Sequence, residues 1–133
     1  MKKMVFSDND ASVPPYLGTI EDHGNYFLVH LKGSMDMKSL EANRSKMTAV
    51  IKKFDLYSKN LLCSFQKVTR TDTATVAALI SRLSDFGVKK SNQLIFFNIP
   101  DELKTYMEVT KVLPYFRVCG TLEDALKAIA DHV

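Results

Sequence analysis

The residues best placed to do chemistry lie in one short stretch, Thr71-Asp72-Thr73-Ala74-Thr75. It follows a segment from Asn60 to Val68 in which Leu61-Leu62-Cys63, Phe65 and Val68 read as a buried strand. It opens a segment in which Val76, Leu79, Ile80, Leu83 and Phe86 recur at i, i+3, i+4, i+7 and i+10, the spacing of an amphipathic helix. Asp72 and Thr73 therefore belong to the first turn of a helix. Free backbone N–H groups and the positive end of the helix dipole favour negative charge there. A carboxylate at Asp72 suits the N-cap. A phosphate on the Thr73 hydroxyl is compatible with its own helix. It adds about −1.5 to −2 charge beside Asp72 and changes the surface a partner meets. By local chemistry alone, a plain cap and a modification site both account for the stretch.

Other chemistries find no foothold in the sequence. The five glycines are too scattered to build a dinucleotide or Walker phosphate loop. His23, His30 and His132 have no metal-ligand spacing and read as incidental residues of a turn, a strand face and the C-terminus. There is no nucleophile elbow and no Cys–His pair. Cys63 and Cys119 sit in apolar runs, as small buried hydrophobes with free thiols do. Met47 and Met107 read as core filler, and the pairs Lys52-Lys53 and Lys89-Lys90 as solvated charges near helix ends. No metal or cofactor is expected, and the chain is expected not to be an enzyme.

The elements that must position the Asp72-Thr73 stretch can be read in order. Residues 1–15 read as a loose, polar lead-in closed by Pro14-Pro15. Tyr16–Glu21 and Asn25–Lys32 alternate as strands, and the turn signal Asp22-His23-Gly24-Asn25 joins them into a hairpin. Phe27, Val29 and Leu31 form the face of the second strand expected to meet the core, leaving Tyr26, Leu28, His30 and Lys32 opposite. Gly33 ends that strand and Asp36 is the expected N-cap of a helix over Met37–Tyr57, with Leu40, Met47, Val50, Ile51 and Phe54 on one face. After the Asp72 helix, stopped by Gly87, come a buried strand over Gln93–Asn98 and a helix beginning at Pro100 with Leu103, Tyr106, Met107 and Thr110 on its face. A short strand over Tyr115–Cys119 then precedes a last helix capped by Thr121, with Leu122, Ala125, Leu126 and Ile129 buried. The alternation predicts an α/β fold: a mixed, largely parallel sheet with an N-terminal β-hairpin and about four helices.

Composition is consistent with this. The 133 residues suit one domain, taken as residues 16–133. The chain is 46% hydrophobic and 25% charged, values of an ordered globular protein. A net charge of +3 is too small for a nucleic-acid interface. No stretch approaches the ~18 apolar residues of a membrane span. Lys2-Lys3 is followed by Ser7-Asp8-Asn9-Asp10 where a signal peptide needs its apolar core, so the expected compartment is the cytoplasm.

From about Tyr16 to Ile129 the chain resembles a STAS domain, the fold of bacterial anti-sigma factor antagonists. The likeness rests on Gly33-Ser34-Met35-Asp36 as the Gly-x-x-Asp motif after the second strand and on Asp72-Thr73 as the Asp-Ser/Thr signature after the buried Leu61–Phe65 strand. It extends to the small residues Ala77-Ala78-Leu79, the strand Leu94–Asn98, the strand Leu113–Val118 and the closing Thr121-Leu122-Glu123-Asp124-Ala125-Leu126. The resemblance implies an anti-sigma factor antagonist that binds an anti-sigma factor with kinase activity. Thr73 is then the phosphoacceptor, and Asp36, Asp72, Thr73 and Thr75 form the partner-binding surface. The unphosphorylated form binds the kinase and releases the sigma factor, and phosphorylation reverses this. The alternative is a STAS scaffold without phosphorylation, either a subunit of a stress-signalling complex or an accessory of a lipid-transport ATPase. A third class, an enzyme or a binder of a small ligand such as a nucleotide or lipid, has no acid–base pair, nucleophile constellation or metal cluster to support it.

Overall fold

The structure, a computed structural model, describes residues 2–7, 10–83, 92–101, 103 and 116–132. Six strands form one sheet in the order β1-β2-β3-β4-β5-β6. They are β1 (Lys2–Val5), β2 (Leu17–Asp22), β3 (Tyr26–Ser34), β4 (Asn60–Arg70), β5 (Leu94–Phe97) and β6 (Phe116–Cys119). The first three pair antiparallel, and β3 to β6 run parallel. Four α-helices stand among the described residues: α1 (Met37–Ala42), α2 (Arg44–Phe54), α3 (Thr73–Arg82) and α4 (Leu122–His132).

Strand periodicity divides the sheet's two faces between two cores. Leu61, Cys63 and Phe65 of β4, Leu94 and Phe96 of β5, and Phe27, Val29 and Leu31 of β3 face α1–α3. The alternate residues Leu28, Leu62, Ile95 and Phe97 face Ala125 and Ile129 of α4. Parallel strands covered on both sides become apolar at consecutive positions, so Leu94-Ile95-Phe96-Phe97 is buried throughout. Leu28, expected on the face away from the core, is buried for the same reason: that face has a helix layer of its own. The Cys63 thiol is pushed up to about 12 by its burial, and it stays an inert core group.

Two segments depart from the sequence reading. Lys2–Val5, expected to be loose, is the edge strand: Lys2 stands opposite Asp22 and Val5 opposite Thr19. Met4 and Phe6 pack against the main core, and the Phe6 ring meets Phe54 edge-on at 6.1 Å. The single helix expected over Met37–Tyr57 is two helices and a turn. Asn43 is buried, and its amide Nδ2 donates to the Ser39 carbonyl at 2.8 Å, closing α1. Its own carbonyl then accepts from the Met47 N–H at 2.9 Å, opening α2. Asp55, in the left-handed region at φ 52°, ends α2, and Leu56–Ser58 is a 3₁₀ turn. The expected features at Phe86, Gly87, Lys89-Lys90, Tyr106, Met107, Thr110 and Leu113 lie outside the described residues.

Candidate functional site

The site is built where two neighbouring parallel strands hand over to helices. Ser34 of β3 and Arg70 of β4 are register partners, and the Met35 N–H donates to the Arg70 carbonyl at 2.8 Å just beyond. The chain leaving each strand is thereby pinned to its neighbour. Two residues past each strand end stands an aspartate, Asp36 after β3 and Asp72 after β4. Gly33 explains the first motif. Its φ of +69° lies in the left-handed region, and no atom crowds the place of a Cβ, so backbone angle and not space selects glycine there.

Both aspartates cap helices. Asp36 Oδ1 accepts from the Ser39 N–H at 2.7 Å at the start of α1. Asp72 Oδ1 accepts from the Thr75 N–H at 2.8 Å at the start of α3. Asp72 has a second tie: the Thr75 hydroxyl donates to the same oxygen at 2.8 Å. The Thr75 N–H, then the Thr75 hydroxyl, then the Ala74 N–H hold the Asp72 carboxyl below the usual carboxylate range. The carboxylate is ionised, oriented and directed along the first turn.

Thr73 occupies the first helical position directly after this cap, with its side chain exposed. Thr75 is wholly buried and meets the surface only through the carboxylate it orients. The structure therefore brings Asp36, Asp72 and Thr73 to one end of the sheet, beyond the carboxyl ends of β3 and β4, and sets Thr75 beneath them. Position 75 belongs to the buried stripe of α3 with Val76, Leu79 and Ile80. It lies four residues before Leu79, a spacing visible in the sequence, so the Thr75 side chain that the resemblance implied at the partner-binding surface is instead buried.

The two helices are tied further along. The Arg82 guanidinium of α3 donates to the Leu40 carbonyl at 2.8 Å through Nη1 and pairs with the Glu41 carboxylate through Nη2, both at the end of α1. Among the described residues, no group of three or more His, Cys, Asp or Glu side chains could hold a metal ion. No described helix is long and apolar enough to cross a membrane.

A second polar cluster on the hairpin was not anticipated. Glu21 bridges two imidazoles, accepting at 2.7 Å from His23 Nε2 and at 3.1 Å from His30 Nε2. Burial opposes its ionisation, but the hydrogen bonds and charge of His23 and His30 hold its carboxyl below the usual range. His30 and Glu21 sit on adjacent strands nine residues apart, so only the hairpin register brings them together.

Comparison with known proteins follows the same outline. The family model described as "STAS domain" matches residues 19–125. Comparison with the curated proteins finds no match. Among solved structures, the anti-sigma factor antagonist SpoIIAA in its unphosphorylated form is similar over 84% of this chain and 96% of its own, with 15% identity and a TM-score of 0.56. The phosphorylated form of the Bacillus cell fate determinant SpoIIAA gives 16% identity over 83% of this chain and 96% of its own, with a TM-score of 0.56. An anti-sigma factor antagonist from Mycobacterium paratuberculosis gives 21% identity over 84% of this chain and 92% of its own, with a TM-score of 0.57. At these identities the likenesses establish the fold. With the family model spanning most of the chain, from β2 into α4, the chain belongs to the STAS domain family.

Proposed function

We propose that this chain is an anti-sigma factor antagonist that binds an anti-sigma factor kinase and is switched by phosphorylation of Thr73. The observation that carries the reading is the exposed Thr73 hydroxyl at the first position of α3, directly after an ionised and doubly held Asp72. A partner docks on the edge formed by Asp36, Asp72 and Thr73, with Thr75 setting the Asp72 carboxylate from below. The module works in the cytoplasm and has no catalytic step of its own. SpoIIAA, of the same fold, exists in unphosphorylated and phosphorylated forms, which supports a switch of this kind on this framework.

The mechanism is electrostatic. The free backbone N–H groups of the first turn tolerate a phosphate on Thr73, so α3 persists. The phosphate adds about −1.5 to −2 charge next to a carboxylate already ionised. At a docked interface that charge must be desolvated beside a like charge, and the complex dissociates.

The test is incubation of the protein with ATP and the anti-sigma kinases of its own organism, read by intact mass, with Thr73→Ala in parallel. The reading expects one phosphate on the natural chain and none on the variant. Stable binding to a candidate kinase without phosphate transfer overturns the switch and leaves Asp72 as a structural cap in a scaffold or transporter-accessory STAS protein. The bond to the buried Thr75 hydroxyl is the observation on that side, because it gives Asp72 a folding role of its own.

A further inference from the structure

Away from the Asp72 edge, α1, α2 and α3 enclose a cleft of about 520 Å3. That is within the size range of small-molecule sites. Leu40, Met47, Ile51 and Leu79 give it an apolar strip, and Thr48, Tyr57 and Ser81 add hydroxyl side chains to the lining. Its charged lining is of one sign: Arg44, Lys52 and Arg82, with no acidic residue among the lining side chains. Arg82 is committed, through its guanidinium, to Leu40 and Glu41. Arg44 and Lys52 are exposed and have no ion-pair partner among the described residues. They stand eight residues apart on α2, on the same side of that helix.

Tyr16 forms part of the wall. It is 1% exposed, and its hydroxyl has no hydrogen-bond partner among the described residues. A buried hydroxyl in that condition is destabilising, and protein interiors rarely keep one. The charge of Arg82, another lining residue, acts on the Tyr16 hydroxyl, although burial dominates and pushes it up to about 12. The hydroxyl therefore keeps its proton at neutral pH and is a donor.

An aliphatic strip in the lining, two uncommitted cations and a protonated, partnerless hydroxyl complement a ligand with one apolar chain and one anionic head. We propose that this cleft binds a single-chain anionic amphiphile, with Arg44 and Lys52 meeting the charged head, the Tyr16 hydroxyl donating to one of its oxygens, and the chain lying against Leu40, Met47, Ile51 and Leu79. Carboxylate and phosphate monoester heads share this chemistry. The inference stands independently of the Thr73 switch.

The test is titration of the full chain with decanoate and with decyl phosphate, below micelle formation, followed by calorimetry and by the methyl NMR signals of Leu79 and Leu83. Decanol serves as the chain without the charge and acetate as the head without the chain. At least one of the two anions binds and shifts those methyl signals. Decanol and acetate bind at least about tenfold more weakly, as expected when charge-assisted hydrogen bonds or apolar burial is missing. The tighter of decanoate and decyl phosphate identifies the head group. The double variant Arg44→Gln, Lys52→Gln, both changes at exposed positions, weakens the anion by about tenfold or more and leaves decanol unchanged. Tyr16→Phe also weakens the anion while the unliganded Tm holds or rises, a combination a purely structural role for Tyr16 does not give. Failure of both anions to bind, equal binding of decanol, or full affinity in the double variant overturns the proposal.

Discussion

The turns β3-to-α1 and β4-to-α3 are the same device built twice. Each strand ends two residues before an aspartate, and each aspartate is extended, at φ −132° and ψ 171° for Asp36 and φ −139° and ψ 170° for Asp72. Each accepts the backbone N–H three residues on. The copies differ in what lies under and beside the cap. Below Asp72 a buried Thr75 hydroxyl makes a second bond to the carboxylate, whereas the Ser39 hydroxyl makes none to Asp36 among the described residues. Beside Asp72 stands a hydroxyl side chain, Thr73; beside Asp36 stands Met37. α1 stops after six residues with Leu40 as its buried anchor, whereas α3 runs ten residues with four buried side chains. The Asp36 cap opens a short helix and has an apolar neighbour; the Asp72 cap is fixed from below, opens a well-anchored helix and is followed by an exposed hydroxyl, the difference on which the proposed Thr73 switch rests.

The largest expected effect tests the anchoring of α3. Leu79→Ala removes a side chain that is 2% exposed and lowers stability by about 2–5 kcal/mol in chemical denaturation. The contrast between the junctions is sharper at their third helical positions. Thr75→Val keeps the shape and removes the hydroxyl that donates to Asp72, at about 1 kcal/mol. Ser39→Ala, its counterpart on α1, changes stability by less than about 0.5 kcal/mol. Equal losses at the two positions would erase the distinction between the two junctions.

A pH series refines the same comparison. The Asp72 carboxyl lies lower in the folded chain than in the unfolded one, so its contribution is complete above the unfolded value of about 4 and is lost as pH falls through the folded value. The stability gap between the natural chain and Thr75→Val is therefore full at neutral pH and closes in acid, which urea titrations across that range can follow. The smallest effect is that of phosphate on folding itself: because the first turn accommodates negative charge, phosphorylated Thr73 leaves the helical circular dichroism of the chain almost unchanged.

Much of this was legible in the residues, because the relevant forces are local. The stripe Val76, Leu79, Ile80 and Leu83 is buried as its spacing requires, and Asp36, Asp72 and Thr121 cap the helices they precede. Where tertiary contacts decide, the sequence is mute. Lys2–Val5 offers few apolar residues, and its strand exists through pairing with β2 and through Met4 and Phe6 meeting the core. The break at Asn43 depends on burying an amide that could as easily have faced water. The resemblance implied Thr75 as part of the partner-binding surface beside Thr73. The structure buries it, since its hydroxyl finds its acceptor within one turn of the same helix. The Glu21 bridge to His23 and His30 needs the hairpin register, which no local pattern of residues declares.

The most direct test of the central claim is the affinity of the cognate anti-sigma kinase for the protein with and without phosphate on Thr73, measured by calorimetry at one ionic strength, with Thr73→Ala as the unmodifiable control. The account predicts tight binding of the unphosphorylated chain and of Thr73→Ala, and a loss of at least about tenfold when Thr73 carries phosphate. Equal affinity for both forms would contradict it.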